Sequence, residues 1–504
     1  MSAVDRTEPI PRLTHEAVSA DAQAAGLDLL LSVSTLVEDA TAPESVSQAS
    51  RLAAWKRACI TIVFVPVAVL ALCLAFRVRL IHGHGERIHV LAGWPWAHHL
   101  GNLPRAAIYA VWLMPLAELA LLIAGQLHHW LAFKRTPRGQ FRLLIIQITT
   151  TGNEARRVNE IIDQIHGYDL RMPYEIWVVT EPWGAVNGKA GYPGAGQVLV
   201  VPETFSARSE RKARALEFSR QVRGLLALDT ADVKILFSDD DVTPTESYIK
   251  TAFAADYDVC EGVTVPRTHY GTGPLAHFFA SHVDDTRTRE CLTYCSVFQG
   301  ILGKPLFVHG EGLTATGEAE RKVTWDRRVL SEDLAFGQNA AKMGLRWGWF
   351  HDYVELTSPW GLKDLFTQRK RWTWGNMHAI GHRDVLPLSR ALPLAAKYAL
   401  DAMIWAGSLI GIALRVTGHL SSSSPAYDVS KLAVLCWLVM FFYCGWVAAE
   451  SKPTSDIRLL HATAAAIMSP ISSMLAFIVV VIAVCRGNPR TFEVIRKTRE
   501  DTAP

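Results

Sequence analysis

Val233-Lys-Ile-Leu-Phe-Ser-Asp-Asp-Asp241 is the stretch that decides the fold. Its first half is an apolar strand, and three carboxylates follow closely at the strand's end. Upstream, Tyr174-Glu-Ile-Trp-Val-Val-Thr180 and Phe141-Arg-Leu-Leu-Ile-Ile-Gln-Ile-Thr149 read as two further strands. Between the strands, Asn153–Ile165 and Arg211–Leu228 read as helices. This βαβ alternation predicts an α/β domain with a mostly parallel sheet covered on both faces. Such sheets bind ligands at the carboxyl ends of their strands, which is where the carboxylates stand.

Composition limits what that domain can be. Half of the 504 residues are hydrophobic and 16 are Trp, which fits a protein partly dissolved in lipid. A net charge of +3 is too small for a nucleic-acid partner, and many Lys and Arg cluster beside apolar runs, as membrane-flanking residues do. Cys260, Cys291 and Cys295 are too few for a disulfide framework, so a reducing, cytosolic face is expected. Cys291-x3-Cys295 has no second pair to complete a zinc site.

The expected organisation is a disordered cytosolic tail over 1–50, without the pattern of a cleaved signal peptide, and two transmembrane helices within 51–135. The spans are Ala58–Phe76, uncharged, and Ala106–Leu127, broken only by Glu118. The sheet domain occupies 136–390 and includes an amphipathic interfacial helix near 361–383. Two or three more spans fall within 391–486, near Tyr398–Val416, Leu432–Ala449 and His461–Cys485, the last interrupted by Ser469-Pro-Ile-Ser-Ser473. A basic tail, 487–504, follows. Four or five crossings and the placement of basic flanks suggest a multi-pass protein of the cell membrane with its sheet domain in the cytosol.

Asp239 and Asp241 present two carboxylates to the same side of an extended chain, a donor set for Mg2+ or Mn2+ completed by substrate phosphates. An ordinary acidic turn before Thr243-Pro244 would have the same composition. Ser331-Glu-Asp-Leu-Ala-Phe336 reads as a helix start with Ser331 as cap; its acids either serve capping alone or supply Asp333 as a general base. In Gln368-Arg-Lys-Arg-Trp-Thr-Trp374, Arg371 can stabilise a departing diphosphate and Trp372 can stack on a sugar. The plainer reading is a helix with Leu362, Phe366, Met377 and Ile380 on its apolar face, snorkelling its cations to lipid headgroups. Lys212 either reaches a donor phosphate or lies on a solvated face with Arg208, Arg211 and Arg214. Glu181 stands at a strand exit, in reach of a nucleotide base or ribose, or merely solvated. His309-Gly-Glu-Gly312 shapes an acceptor pocket or a tight turn. Asp284-Asp285 has no clear strand before it and reads as surface.

From about Phe141 to Ile380 these ordered motifs resemble the family 2 glycosyltransferases, and more closely their egghead-like membrane β-mannosyltransferase branch. Val201-Pro-Glu-Thr-Phe205 before Lys212-Ala-Arg-Ala-Leu216, and Ser358-Pro359 before Gln368-Arg-Lys-Arg-Trp372, carry the likeness to that branch. The resemblance implies a GT-A-like domain inserted between transmembrane helices. It assigns Asp239 and Asp241 to the metal and diphosphate, Asp333 to the base, and Gln368, Arg371 and Trp372 to the donor end and acceptor channel. Glu181 stands where the family usually has Asp, and Thr149-Thr-Thr151 replaces the usual Pro-containing turn.

The expected activity is metal-dependent, inverting transfer of a hexose from a nucleotide sugar, GDP-mannose or UDP-glucose, to a lipid-linked or glycan acceptor. A processive polysaccharide synthase with coupled export is the nearest alternative. A non-catalytic membrane scaffold or transporter is the alternative from another class.

Overall fold

The computed structural model describes residues 59–75, 103–132, 140–267, 274–382, 385–417, 425–450 and 455–487. Two compact units account for them. The first is built from Pro137–Glu261 and Val308–Gly348, the second from Val46–Thr136, Gly262–Phe307 and Trp349–Pro504.

Before the sheet, a π-helical turn at Ile60–Phe64 leads into α1 (Val65–Ala75), and α2 (Leu103–Ala132) follows with Pro115 inside it. Strand β1 (Leu143–Thr150) is buried along its whole length, as a strand covered on both faces must be. Helix α3 (Ala155–His166) buries Val158, Ile161, Ile162 and Ile165, a stripe at helical spacing. The chain continues through β2 (Tyr174–Thr180), β3 (Gln197–Val200), α4 (Lys212–Leu225), β4 (Val233–Asp239) and β5 (Val242–Pro244). Thr245 then caps α5 (Glu246–Ala254), its hydroxyl accepting from the Tyr248 N–H. Next come β6 (Val259–Arg267), α6 (Leu275–Glu290), β7 (Thr314–Thr316), α7 (Gly317–Val323), α8 (Glu332–Lys342), β8 (Trp347–Thr357) and α9 (Leu362–Gly381). Three long helices finish the described chain: α10 (Leu388–Val416), α11 (Pro425–Ala448) and α12 (Ser455–Arg486).

The eight strands lie in the order β3-β2-β1-β4-β7-β6-β8-β5. The first four are parallel, and β7 runs antiparallel to β4 and β6. This is the mostly parallel α/β sheet that the strand pattern implies. Its register sets Thr149 opposite Asp239 and Thr150 opposite Thr180, so the carboxyl ends of β1, β2 and β4 share one edge. Beneath that edge, Ile145, Trp177, Ile235 and Phe237 pack with Leu216 and Val222 of α4 and with Trp325 and Phe336, whose rings stack at 4.2 Å.

In the second unit, the described parts of α11 and α12 include two helices long and apolar enough to cross a membrane, Asp428–Ala448 and Ile457–Arg486. Helix α12 continues through Pro470. Glu118, the charge that breaks the second apolar stretch, is buried and accepts from Arg289 Nη1 at 2.5 and 2.7 Å and from the Tyr294 hydroxyl at 2.7 Å. An ion in so apolar a helix is tolerable because it is paired. Asp284 and Asp285 are also buried, each 1% exposed, which corrects the surface reading: they sit on the packed face of α6, where Asp284 pairs with Arg369. The expected N-terminal tail, and the basic tail after Gly487, lie outside the described residues.

Candidate active site

Asp239 is the last residue of β4, and Lys212 is the first of α4. Lys212 Nζ lies 2.6 Å from Asp239 Oδ1 and 3.5 Å from Glu332 Oε1. Burial acts to lower the Lys212 pKa, but Asp239, Glu332 and Asp333 together hold it above its ordinary value. Lys212 is therefore a fixed cation inside the acidic cluster rather than part of a solvated face.

Glu332 and Asp333 form the first turn of α8, as the acidic helix start suggests. Ser331 occupies the cap position but its side chain makes no capping bond, a correction to its expected role. Asp333 instead turns to its own helix start, Oδ1 accepting from the Leu334 N–H at 2.7 Å. Burial pushes the Asp333 carboxyl up, Glu332 and Glu311 push the same way, Lys212 opposes them, and the outcome is about 7. A carboxyl at that level exchanges protons near neutral pH, as a general base must.

The His309–Gly312 segment explains its two glycines. Gly310 has φ +80° and Gly312 φ +75°, the left-handed region open to glycine. The Gly312 N–H donates to the Phe237 carbonyl, and the Gly312 carbonyl accepts from the Tyr248 hydroxyl at 2.6 Å. A side chain at Gly310 would collide with the Asp333 carboxylate: its Cβ would stand 3.0 Å from Cγ. The segment is thus both a tight turn and the wall beside the candidate base.

The three consecutive aspartates divide their tasks. Asp240 accepts from the Thr150 hydroxyl at 2.8 Å, and its backbone carbonyl accepts from Arg157 Nε at 3.0 Å, which ties the turn to β1 and α3. Asp241 is 4% exposed. At the end of β2, Glu181 is buried rather than solvated and takes Arg214 Nη1 on Oε2 at 2.7 Å. Arg214 is held in turn by the carbonyls of Pro202 and Phe205. Burial raises the Glu181 pKa against the pull of Arg214, and its Oε1 has no hydrogen-bond partner.

Gln368, Arg371 and Trp372 lie on α9 in the second unit. Gln368 is 2% exposed, with Oε1 lacking a hydrogen-bond partner. Trp372 has two guanidiniums against its ring, Arg287 at 4.4 Å and Arg369 at 4.6 Å from the centroid. Leu362 and Met377, from the expected apolar face, are exposed.

The fold thus gathers Lys212, Asp239 and Asp333 in one cluster and sets Glu181 on the same sheet edge. Sequence reading missed Glu332, Arg214 and Thr150. Glu332 belongs to the quoted acidic pair, and Arg214 to the quoted Lys212-Ala-Arg motif; Thr150 carries no signal beyond the departure from the Pro-containing turn.

The beta-1,4-mannosyltransferase bre-3 of Caenorhabditis elegans is 25% identical over 277 residues, covering 51% of this chain and 57% of that one. The beta-1,4-mannosyltransferase egh of Drosophila melanogaster is 23% identical over 257 residues, covering 50% and 52%. The chain spans about half the length of these relatives. Among solved structures it is similar to S. aureus TarS at 11% identity, covering 71% of this chain and 59% of that one with a TM-score of 0.27. The family model described as glycosyl transferase family group 2 matches residues 234–485, half of the chain, and the chain belongs to that family.

Proposed function

We propose that this chain is an inverting glycosyltransferase that works at a membrane, moving a hexose from a nucleotide sugar to a lipid-linked or glycan acceptor. The observation that carries the reading is the Asp333 carboxyl, raised to about 7 and set in one cluster with the Lys212–Asp239 pair at the sheet's carboxyl edge. Its likeness to the two beta-1,4-mannosyltransferases favours mannose, from GDP-mannose, as the first donor to try.

In this reading Asp333 accepts the proton of the acceptor hydroxyl as that oxygen attacks the anomeric carbon. The carbon–oxygen bond to the diphosphate breaks, the nucleoside diphosphate leaves with the electron pair, and the anomeric configuration inverts. Lys212 supplies positive charge beside the diphosphate, and Glu181 with Arg214 lines the nucleoside end.

Asp239 ends β4 and Asp241 lies in the turn beyond it, so the two are not held on one extended strand, and Lys212 Nζ stands 2.6 Å from Asp239 Oδ1; in this reading their carboxylates would take a hard divalent cation together with substrate phosphate oxygens. Such a Mg2+ or Mn2+ ion would neutralise charge on the leaving diphosphate. The localisation proposed with this activity is a multi-pass arrangement with the sheet domain in the cytosol.

The test is release of free nucleoside diphosphate by the purified full-length protein in lipid with Mg2+ or Mn2+, screening GDP-mannose, UDP-glucose and UDP-GlcNAc with candidate acceptors. Release from one donor, abolished in Asp333→Asn, is expected. Release that survives Asp333→Asn would remove Asp333 from the reaction.

A further inference from the structure

The second unit holds three buried side chains that the transfer reaction does not use. His282 and Asp285 stand one turn apart on α6, and His461 lies near the start of α12; none is more than 1% exposed. His282 Nδ1 is 2.7 Å from Asp285 Oδ2, and His461 Nε2 is 3.4 Å from Asp285 Oδ1. The two imidazoles stack with centroids 5.2 Å apart. One ligand atom from each of the three residues lies within 4.8 Å of the other two.

Hydrogen bonding leaves one ring nitrogen of His282 without a partner. When Asp285 accepts from Nδ1 of His282, the lone pair of that ring sits on Nε2, which is buried and has no hydrogen-bond partner. The Asp285 carboxyl is itself buried and faces both imidazoles, one on each oxygen. On α9, Arg369 pairs with the neighbouring Asp284 at 2.5 Å. A buried carboxylate set between two imidazoles is costly unless a proton or a cation supplies the balancing charge.

We propose that His282, Asp285 and His461 bind one divalent transition-metal cation, Zn2+ in the first instance, which staples α6 to α12. Two imidazoles and a carboxylate are donors suited to Zn2+ and leave one coordination position for water. The imidazole nitrogens distinguish this site from the all-oxygen pair Asp239 and Asp241, which suits Mg2+ or Mn2+. The staple has a structural consequence within the same unit. Helix α6 also carries Asp284 and Arg287, which hold Arg369 and Trp372 of α9, so fixing α6 against α12 fixes the support of that cation–aromatic cluster.

The experiment is metal analysis by plasma mass spectrometry on the full-length protein, purified in detergent without chelator and then equilibrated with Zn2+. About one Zn2+ per chain is expected in the wild type and in Asp239→Asn, with loss in His461→Ala and His282→Gln. Chelation should lower the wild-type Tm by roughly 3–8 °C and leave the variants unmoved. Co2+ loading should give the wild type the visible absorption of a tetrahedral nitrogen–oxygen site. Wild-type protein that holds no Zn2+, shows no cobalt absorption and melts alike with and without chelator would leave only a hydrogen-bonded triad and overturn the proposal. So would undiminished metal in folded His461→Ala. Should that variant not fold, the cobalt spectrum and chelation shift of the wild type decide the matter.

Discussion

Gly310 and Asp333 are in such close apposition that any β-carbon at position 310 would stand 2.9 Å from the β-carbon of Asp333 and 3.0 Å from its carboxyl carbon. The two residues reach this point from different directions, one from a turn with φ +80° and the other from the first turn of α8. The absent side chain is what gives the candidate base its place.

Gly310→Ala should therefore act on catalysis more than on folding. The left-handed backbone costs on the order of 1 kcal/mol for alanine, whereas a shift of about 1 Å in the base can cost about 100-fold in rate. Transfer rates measured beside melting curves will show it. A variant with wild-type rate would mean that Asp333 tolerates the displacement.

The pH profile follows from the raised Asp333 pKa. As a base it works ionised, so activity should climb as pH rises through about 7 and level off above. The stability effect runs the other way. Between its ordinary value of 3.8 and about 7 the folded state holds a proton that the unfolded state has released, so this carboxyl's contribution is lost as pH rises through that window. Asp333→Asn should consequently be inactive yet more stable at pH 7.5, by roughly 1–3 kcal/mol in denaturant melts. Glu332→Gln should move the rising limb of activity to lower pH, since Glu332 helps hold the Asp333 pKa up.

Arg214→Ala leaves Glu181 buried without its cation, at a cost of about 3–5 kcal/mol. Arg214→Lys keeps the charge but loses the carbonyl bonds to Pro202 and Phe205, and should recover only part of it. Thermal unfolding of these two variants, of Glu181→Ala, and of Arg214→Ala combined with Glu181→Ala checks this. The double variant should lose less than the sum of the singles, and simple additivity would show the pair to be uncoupled.

Glu320 is the buried partner of Arg223, receiving Nε at 3.0 Å and Nη2 at 2.5 Å, and it also accepts from Trp325 Nε1 at 2.8 Å. Arg223 in addition donates to Gln147 of β1. Glu320→Ala should destabilise the first unit by about 3–5 kcal/mol, and joining it with Arg223→Met should restore much of the loss, because no unpaired charge then remains inside. Denaturant midpoints at constant slope will separate this from a change in compactness.

Short continuous apolar runs were sufficient to place β1, β2 and β4, and helical patterning α3 and α4, to within a few residues, because each segment carries those signals by itself. The carboxylates at the end of β4 were legible for the same reason, since a strand's exit and the side chains that follow it are local facts. Asp284 and Asp285 were misread because burial of a helix face depends on neighbours that α6 meets only in three dimensions.

What the chain determined by itself was a set of strands and helices with acids at their ends. Only the tertiary structure decided which acids act together: Lys212 meets Asp239 and Glu332, Arg214 meets Glu181, and Asp285 stands between two histidines. Apart from His282, one helical turn from Asp285, these partners are far apart along the chain, so they follow from strand order and helix packing, and no local spacing encodes them. A buried charge is settled only when folding has chosen its partner.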